Sequence, residues 1–527
     1  MDSPISEQQQ SIFSRLLTDT ELTAVSANPL EAFDRLTQHL RSIPDYPIYW
    51  HNRARILLRM GHHDLAICDA RRAALLMDTI GPNTILALTL LYFTSPDVSI
   101  ILREKRTLIA EIGYTYAQAL TATPPSSEYF IFALTALKNA IATVGPNNDP
   151  VFHAKAKQLQ ERVKEKYQEH LVTIKDLQPG DRHPDSIAKN IYRPNMQDGR
   201  YPWDTWNTRS QVTQNEEGLR ALEKEYNNVL AKLEASKIKV KFSYSEDGEG
   251  ETDNVQTGIF ANFGIGANET VLDEKPSVSV NRVLSKSVCE NCNALCRPRA
   301  RRYICPHCTE VYCSEQCRED ANSTYHKVLC RNQHIAGMVQ RVQAAETTPS
   351  IIPLIIFKLF AMSTQTGVPL LELPAIRRLR PRVPCPSDGI YQFIPFAFDV
   401  YNSAIKAINI KPEQWLDFDY WIFDTIYRML LVNIFGRNLI QKTDPCDAAM
   451  VFEAKSWFNH SCDPNCASSG CAMKTLRTVK ADEELTISYT DASLPKFERQ
   501  KRLWATYGFI CACKRCKADK SKDFVLV

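Results

Sequence analysis

Near its C-terminus the chain reads Asn459-His460-Ser461-Cys462-Asp463-Pro464-Asn465, followed further along by Glu483-Glu484-Leu485-Thr486-Ile487-Ser488-Tyr489. Cysteine groups flank these two segments on both sides, one at residues 289–330 and one at residues 511–516. Of the 17 cysteines, Cys68 alone precedes residue 289. Thiolates at such short spacing are typical of zinc sites. The order of the pieces therefore predicts a C-terminal domain wrapped around a metal-binding module.

The upstream group consists of four short pairs that together supply eight soft ligands. They are Cys289, Cys292, Cys305, Cys308, Cys313, Cys317, His326 and Cys330. Eight ligands serve two tetrahedral Zn²⁺ ions. The small gap between the second and third pairs predicts interleaving, with Cys289, Cys292, Cys313 and Cys317 on one ion and the other four ligands on the second. A disulfide framework is the alternative reading, and Cys296 lies outside the pattern.

Composition and charge set outer limits on the class of protein. The 527 residues carry a net charge of +3, which is so close to balance that it implies nothing about membranes. Met1 to Gln10 lacks a basic and then apolar signal sequence, so a reducing intracellular location, in cytoplasm or nucleus, is expected and disulfides are disfavoured. The longest apolar stretch, Ile351 to Met362, is interrupted by Lys358 and predicts a buried helix rather than a membrane span.

Residues 5–172 show apolar side chains at three- and four-residue spacing, which predicts helices throughout. Within them, Tyr49 to Ala74 carries small residues that let two antiparallel helices approach closely, namely Ala54, Gly61, Ala66 and Ala73. This segment resembles a tetratricopeptide unit. We expect a short helical array that either offers a groove to a partner protein or is simply packed as an α-solenoid.

Residues 173–236 are predicted to form a linker and a charged helix, the helix spanning Asn215 to Ser236. Trp203 and Trp206 stand in the polar linker and are expected to anchor it on a neighbouring domain. Ile238 to Tyr244 alternates apolar and polar side chains, which predicts a half-buried strand.

Thr257-Gly258-Ile259-Phe260-Ala261 follows, and it resembles the N-terminal half of a SET domain. The resemblance implies that Gly258 and Ile259 form a turn whose backbone approaches the cofactor S-adenosylmethionine. The residues before Gly258 depart from the family pattern, since Val255 and Gln256 stand where an earlier glycine and a basic residue are usual.

The two segments quoted first resemble the C-terminal SET signatures, in the order that the family shows. The resemblance implies that Asn459 and His460 hold the cofactor through backbone and side-chain hydrogen bonds. Asn433 and Phe435 resemble the strand that completes this pocket. Tyr489 is the expected catalytic residue, because its hydroxyl can orient an amine and its ring can wall an apolar channel that favours the uncharged lysine.

Three cysteines close the chain and need a fourth zinc ligand, which Cys462 offers and for which Cys466 is an alternative. They are Cys511, Cys513 and Cys516. Between Tyr489 and this group, Pro495 and Gly508 predict the start and the end of a helix. The arrangement resembles a post-SET zinc site. It implies that Phe509 stacks on adenine and that Tyr507 lines the lysine channel as a second catalytic side chain.

The whole order resembles the SET and MYND domain lysine methyltransferases, and the upstream cysteine module resembles a MYND finger. The fold expected is therefore multidomain α+β, with three Zn²⁺ ions and S-adenosylmethionine. The predicted domains are a tetratricopeptide-like region (5–172), linker and charged helix (173–236), SET N-terminal half (237–284), MYND finger (289–330), helical SET insert (331–440), SET C-terminal half (441–492) and post-SET (493–516). Only eleven residues follow Cys516. The N-terminal repeats are accordingly hypothesised to take the place of the family's C-terminal helical domain.

A different class of function stays open. In it the chain is a non-catalytic adaptor whose MYND finger binds proline-containing peptides and whose repeats bind a second partner. Arginines could also contact nucleic acid, although charge runs are usually solvated faces. These arginines are Arg297, Arg299, Arg301 and Arg302 and the run from Arg377 through Arg382. If the chain is an enzyme, its substrate is a lysine of a histone or of a non-histone protein, and the sequence does not separate the two.

Overall fold

The structure is a computed structural model, and its contacts divide the chain into two compact units. The first, termed the helical unit, comprises Met1–Trp203, Pro384–Ser403 and Asn409–Phe423, and the second, termed the sheet unit, comprises Asp204–Val383, Ala404–Ile408 and Asp424–Val527. No helix among the described residues has the length and apolar character that crossing a bilayer requires. The described residues are 17–18, 21–22, 27–79, 98–123, 125, 127–176, 190–192, 201–204, 216–244, 255–281, 288–296, 303–333, 351–380, 390–392, 395–437 and 448–523.

Helices dominate the first part of the chain and recur between the strands of the second. In chain order they are α1 Pro29–Ser42, α2 Pro47–Arg59, α3 His63–Thr79, α4 Val98–Ala122, α5 Ser127–Val144, α6 Pro150–Asp176, α7 Glu216–Lys232, α8 Glu315–Thr324, α9 His326–Leu329, α10 Ile352–Thr366, α11 Pro395–Ile408, α12 Tyr420–Asn433, α13 Lys496–Tyr507 and α14 Lys514–Ala518.

The strands are short and form several small sheets. In chain order they are β1 Asn190–Tyr192, β2 Ile238–Tyr244, β3 Val255–Ala261, β4 Thr270–Asp273, β5 Val278–Asn281, β6 Tyr303–Ile304, β7 Val311–Tyr312, β8 Ile390–Gln392, β9 Ile434–Arg437, β10 Ala448–Val451, β11 Asn459–His460, β12 Cys466–Ser469, β13 Ala472–Thr475 and β14 Glu484–Ile487. Their orders are β1-β8, β5-β10-β9, β11-β14-β3-β2, β12-β13-β4 and β6-β7.

Consecutive helices of the helical unit pack as the sequence predicts. Asn28 caps α1 by accepting a hydrogen bond from the backbone of Glu31, and prolines begin both α1 and α2. Gly61 turns the chain between α2 and α3 with a φ of 81°, a conformation that glycine adopts without strain. The small side chains Ala54 and Ala66 are fully buried at the contact between these helices. The predicted helix pair is confirmed, whereas its membership of a tetratricopeptide array stays a prediction.

A buried ionic cluster joins α2 and α3 to a segment from much later in the chain. Arg53 binds Asp69 at 2.6 Å and Asp419 at 2.8 Å, and Arg72 binds Asp419 at 2.7 Å. Residues 384–403 and 409–423 group with the helical unit, and the predicted helical SET insert at 331–440 stays a prediction. The charge pairs at Asp419 are contacts that sequence spacing does not reveal.

The linker is anchored as predicted at one of its two tryptophans. The ring of Trp203 stacks on Phe33 of α1, with centroids 4.1 Å apart. Trp206 lies outside the described residues. Earlier in the linker, β1 pairs with β8 in an antiparallel ladder, so this part of the chain is not purely irregular.

The sheet unit is organised around the four-stranded sheet β11-β14-β3-β2. The strand predicted at Ile238 to Tyr244 is β2, and the predicted charged helix is α7. Asn227 of α7 both accepts from the backbone N–H of Val240 and donates to its carbonyl, which fixes the helix on the sheet edge. Strands β11 and β14 run parallel although distant in sequence, so the segment around Asn459 adds the end strand of this sheet.

The apolar stretch at 351–362 is the buried helix α10, as predicted. Lys358 does not reach solvent from it. Its ammonium donates to the carbonyls of Ser279 and Glu290 and lies 4.1 Å from the ring centroid of Tyr325. This lysine therefore joins α10 to β5 and to the cysteine module.

Within the arginine run at 377–382, the described side chains of Arg377, Arg378 and Arg380 have partners inside the protein, and Arg382 lies outside the described residues. Arg377 and Arg378 both bind the Glu225 carboxylate at 2.6 Å, Arg378 also pairs with Glu453, and Arg380 donates to the Thr257 hydroxyl. Because these charges are satisfied within the sheet unit, they give no support to a nucleic-acid contact there. The arginines at 297, 299, 301 and 302 lie outside the described residues.

Candidate active site and metal centres

The upstream cysteine module brings its eight ligands together in two sets. These are Cys289, Cys292, Cys313 and Cys317, and Cys305, Cys308, His326 and Cys330, and within each set the ligand atoms lie within 4.8 Å of one another. This is the interleaved arrangement that the spacing predicts.

Distances within both sets suit zinc. The Sγ atoms of Cys292 and Cys313 are 3.6 Å apart, and Sγ of Cys308 is 3.4 Å from Nε2 of His326. A tetrahedral ion with Zn–S bonds of about 2.3 Å would hold two sulfurs about 3.8 Å apart. The donor types and their separations therefore fit one Zn²⁺ in each set.

Local structure explains how distant pairs meet. Strand β6 pairs with β7 in a hairpin, and helix α8 begins directly after it. The Ser314 hydroxyl caps α8 by accepting from the backbone N–H of Cys317, 3.2 Å away. The cap fixes Cys317 in the first turn, where its sulfur lies 3.6 Å from that of Cys313.

A third set forms at the C-terminus from Cys462, Cys511, Cys513 and Cys516. The Sγ of Cys462 lies 3.9 Å from that of Cys511 and 3.6 Å from that of Cys516. Cys466, the alternative ligand, instead packs in the apolar core of the sheet unit. The structure thus brings Cys462 rather than Cys466 to the C-terminal cysteines.

Arg499 supports this third set, a role that no sequence motif predicts. Its Nε donates to Sγ of Cys462 at 3.2 Å and its Nη2 donates to Sγ of Cys516 at 3.6 Å. Arg499 is only 1% exposed. A divalent ion with four thiolates carries an excess of negative charge, which a buried guanidinium offsets. An arginine amid the apolar positions of α13 was the available signal.

Four aromatic rings gather where β11, β14 and the end of α13 meet. Tyr489 lies 4.7 Å from Tyr507 between ring centroids, and His460 lies 5.4 Å from Tyr489 and 6.0 Å from Phe509. Helix α13 ends at Tyr507 because Gly508 follows with a φ of 81°. The predicted helix between Pro495 and Gly508 is confirmed, and it delivers Tyr507 and Phe509 to Tyr489.

The hydroxyl of Tyr489 has a fixed role. It donates to the carbonyl of Phe458 at 2.6 Å. Burial raises the pKa of Tyr489 well above its ordinary value, so the phenol stays protonated. Since its hydrogen is already committed, the oxygen can act towards a further group only as a hydrogen-bond acceptor.

Asn459 and His460 make side-chain contacts inside the protein, and their predicted role in holding a cofactor stays a prediction. The amide of Asn459 donates to the carbonyl of Thr257 and to the carboxylate of Glu484, each at 2.8 Å. These hydrogen bonds tie the segment around Asn459 to β3 and to β14.

His460 connects Tyr489 to the third metal set. Its Nδ1 accepts from the backbone N–H of Tyr489 at 3.0 Å, and its Nε2 lies 3.3 Å from Sγ of Cys462. Burial, followed by the nearby charge of Arg499, lowers the pKa of His460 to about 4. The ring is therefore neutral near pH 7, with the Nε2 hydrogen directed at the sulfur.

Gly258 lies within strand β3 and not in a turn, which corrects the predicted local structure. A Cβ at this position would lie 2.8 Å from Oε1 of Glu484 and 2.9 Å from Cε2 of Phe260. Its neighbour Ile259 is fully buried in the core. The glycine thus makes room for Glu484, the partner of Asn459, and the sequence analysis assigned no role to that carboxylate.

Asn433 and Phe435 occupy the junction of α12 and β9. The Asn433 amide donates to the carbonyls of Met429 and Arg380, each at 2.8 Å. Phe435 packs edge-on against Phe452 with centroids 5.4 Å apart. Both side chains have structural partners, so the predicted completion of the pocket by this strand stays a prediction.

Glu274 is a further residue that sequence reasoning missed. Its carboxylate accepts from the backbone N–H groups of Glu453, Ala454 and Lys455, at 2.7, 3.1 and 2.8 Å. These bonds shape the turn that leads into Asn459. Burial, opposed by these hydrogen bonds, raises the pKa of Glu274 to about 7.

Comparison with known proteins agrees with this arrangement. The family model for the SET domain matches residues 209–490, more than half of the chain. A SET and MYND domain-containing protein of Dictyostelium discoideum is 25% identical over 275 residues, covering 47% of this chain and 77% of that protein.

Two further relatives are named as enzymes. The histone-lysine N-methyltransferase SET5 of Scheffersomyces stipitis is 24% identical over 305 residues, covering 50% of this chain and 62% of the relative. The histone-lysine N-methyltransferase SMYD3 of Mus musculus is 34% identical over 172 residues, covering 28% and 39%. The chain therefore spans less than two thirds of each of these two.

The matched region contains both the interrupting cysteine module and the segments that carry Asn459 and Tyr489. The chain belongs to the SET domain family, and it is similar to SET and MYND domain-containing proteins within that family.

Proposed function

We propose that the chain is an S-adenosylmethionine-dependent protein-lysine N-methyltransferase. The observation that carries the proposal is Tyr489, a buried phenol whose hydrogen is committed to the Phe458 carbonyl and whose ring packs against Tyr507. The relatives named as histone-lysine methyltransferases support the same reaction class. When bound, S-adenosylmethionine supplies an electrophilic methyl group.

The residues predicted to bind the cofactor include the segment that contains Asn459 and His460. The segment of Asn459 and His460 would contact the cofactor, and the ring of Phe509 would stack on its adenine. Gly258, Ile259, Asn433 and Phe435 would complete the pocket through backbone groups, because their side chains are absent or engaged in packing. No covalent enzyme intermediate is needed for direct methyl transfer.

Tyr489 and Tyr507 would act on the substrate lysine. A lysine amine has an ordinary pKa of about 10.4 and must lose its proton before it can attack. Aromatic walls disfavour the ammonium form by desolvation. The Tyr489 oxygen, whose own hydrogen is occupied, would accept a hydrogen bond from the neutral amine and direct its lone pair. The chain's residues thus orient the amine and exclude water.

Three Zn²⁺ ions would be structural in this proposal. Each set offers four protein ligands and leaves no open position, which is typical of structural zinc. The third ion would hold Cys462 and so fix His460, which in turn holds the backbone of Tyr489. Zinc here would place the catalytic tyrosine without taking part in the reaction.

The test is transfer of tritium from labelled S-adenosylmethionine to core histones and to a cell lysate. We expect label on lysine, and Tyr489→Phe should lower the transfer rate by about 100-fold through lost orientation of the amine. Tyr303→Phe, which removes the same atom outside the aromatic cluster, is the matched control.

Binding of S-adenosylmethionine by calorimetry separates the possible failures. Unchanged binding with lost transfer in Tyr489→Phe would support a role in orienting the amine. Transfer that survives in Tyr489→Phe would refute that role. Absence of both binding and transfer in the native, zinc-loaded chain would refute the enzyme and favour the adaptor that binds partner peptides through the MYND finger and the helical region.

A further inference from the structure

A groove of about 290 Å³ lies over helix α4 in the helical unit. One face of α4 forms its floor, and the neighbouring helices α3 and α5 form its two walls. The floor residues are Ile109, Ile112, Gly113 and Tyr116, whose spacing places them on one side of the helix. The groove is therefore built from helices, whose backbone groups are paired within each helix.

The walls of this groove are largely apolar. The apolar wall residues are Ala70, Ala74 and Met77 of α3 and Ala136 and Ala140 of α5. Exposed apolar side chains extend the surface along both walls. Leu75, next to Ala74, is 47% exposed, and Phe132, one turn before Ala136, is 45% exposed. An apolar groove that continues into exposed apolar side chains is typical of a surface that binds another protein.

Two side chains of opposite charge lie on the α3 wall, Arg71 and Asp78. Both are exposed, and neither side chain has an ion pair or a hydrogen bond to any part of the chain that the structure describes. Seven residues of α-helix separate them by about 10.5 Å. Burial raises the pKa of Tyr116, and the positive charge of Arg71 opposes that rise, so this charge acts on the floor of the groove. The wall thus presents a positive and a negative pole with an apolar centre between them.

The helices that build the groove decide the form of its ligand. A peptide strand adds to the open edge of a sheet, and the described lining contains no strand. A polyproline segment docks on a series of aromatic rings, and Tyr116 is the one ring in the described lining. An amphipathic helix lays an apolar face into an apolar groove, which is what α3, α4 and α5 offer.

The two poles define the charges of that helix. Side chains at positions i, i+3, i+4 and i+7 lie on one face of a helix. An acidic residue at i and a basic residue at i+7 are about 10.5 Å apart along the axis. They therefore match the separation of Arg71 and Asp78, while the side chains at i+3 and i+4 face the apolar floor.

We propose that this groove binds an amphipathic helix of a partner protein, with an acidic side chain facing Arg71 and a basic side chain facing Asp78. Apolar side chains of the helix would contact the floor between the two poles. The site lies within the helical unit and does not depend on the proposed methyl transfer, so the two can fail separately.

The test is fluorescence anisotropy with the full chain and two fluorescein-labelled helical peptides. In the first peptide Glu and Lys stand seven positions apart with two leucines between them, and in the second a Glu replaces the Lys. We expect saturable binding of the first peptide. The second should bind about three- to fivefold more weakly, because one partly exposed attraction becomes a repulsion.

Asp78→Lys should reverse this preference, because both poles are then positive. Glu165→Lys is the matched control, since it makes the same change in charge at an exposed position of α6 that does not line the groove. It should keep the native preference. Equal affinity of both peptides for the native chain and for Asp78→Lys would overturn the assignment of the poles.

Filling the groove tests the apolar contact. Ala136→Leu should weaken binding of the first peptide about tenfold, because the larger side chain occupies space that the ligand needs. Ala142→Leu adds the same atoms at an exposed position of α5 outside the groove and should change binding by less than about twofold. Equal weakening in both variants, or no saturable binding by the native chain, would overturn the proposal. So would sedimentation that shows self-association abolished by Ala136→Leu, because the groove would then hold a second copy of the chain.

Discussion

Replacing Gly258 by alanine tests why this strand position is a glycine. The added Cβ would lie 2.8 Å from Oε1 of Glu484, roughly 0.6 Å closer than the 3.4 Å at which ordinary contact begins. Glu484 must then retreat from Asn459, with which it shares a hydrogen bond of 2.8 Å. A hydrogen bond to a charged group contributes about 1.5–3 kcal/mol.

Alanine also has a small advantage, because glycine in a strand costs roughly 0.5–1 kcal/mol in backbone entropy. We therefore expect Gly258→Ala to lower the free energy of unfolding by about 1–2 kcal/mol. In a Glu484→Ala background the contact with Glu484 is gone and the contact with the Phe260 ring at 2.9 Å remains, so the same change should cost about 1 kcal/mol less than in the native chain. The difference between the two backgrounds is the interaction energy of a double-mutant cycle.

The assay is urea denaturation of the four zinc-loaded chains, paired with calorimetric titration of S-adenosylmethionine. Gly264→Ala is the control, because its added Cβ would meet only the carbonyl of Val479 at 3.9 Å. Equal destabilisation in both backgrounds would refute the role assigned to Glu484. If Gly258→Ala instead leaves stability unchanged and abolishes cofactor binding in both backgrounds, the glycine serves close approach of the cofactor.

Three further substitutions test buried charged groups, each of which stabilises the unit in which it lies. Arg499→Met should speed zinc loss to a chromogenic chelator about tenfold or more at the third metal set only, because thiolate charge is left unbalanced; equal zinc retention would contradict this. Asp419→Ala should lower the free energy of unfolding by about 3–5 kcal/mol in urea, because Arg53 and Arg72 stay buried with one partner fewer, whereas the exposed Asp417→Ala should cost less than about 0.5 kcal/mol. The pKa of Glu274 is raised from its ordinary 4.5 to about 7 in the folded chain. Between pH 4.5 and about pH 7 the folded chain therefore holds a proton that the unfolded chain has released. Stability should therefore fall by about 1 kcal/mol from pH 6 to pH 8 relative to Glu274→Gln, and parallel pH profiles in urea would contradict it.

Much of the fold follows from local sequence patterns. Three- and four-residue apolar spacing predicted the helices of the N-terminal region, and strict alternation predicted β2 with the bounds that the structure has. Pro495 and Gly508 predicted the ends of α13. These features depend on interactions between residues that are near in sequence, so spacing and residue type suffice.

The sequence predicted which residues form the candidate site better than it predicted the role of each side chain. The spacing of the upstream ligands predicted their division into two sets, because short loops limit which thiolates can share an ion. Tyr489, Tyr507 and Phe509 were likewise expected together. Glu274 and Arg499 escaped notice, since an isolated charged residue gives no sign in the sequence that it will be buried.

The sequence by itself determined the metal-ligand types, the helices and strands with clear periodicity, and the residues that would meet at Tyr489. Only the tertiary structure decided that Cys462 and not Cys466 joins the C-terminal cysteines, and that Gly258 makes room for Glu484. It also decided that residues 384–403 and 409–423 pack with the N-terminal helices. The physical reason is common to all three. Each outcome depends on atoms far apart in sequence, where burial and charge pairing choose among partners that local spacing leaves equivalent.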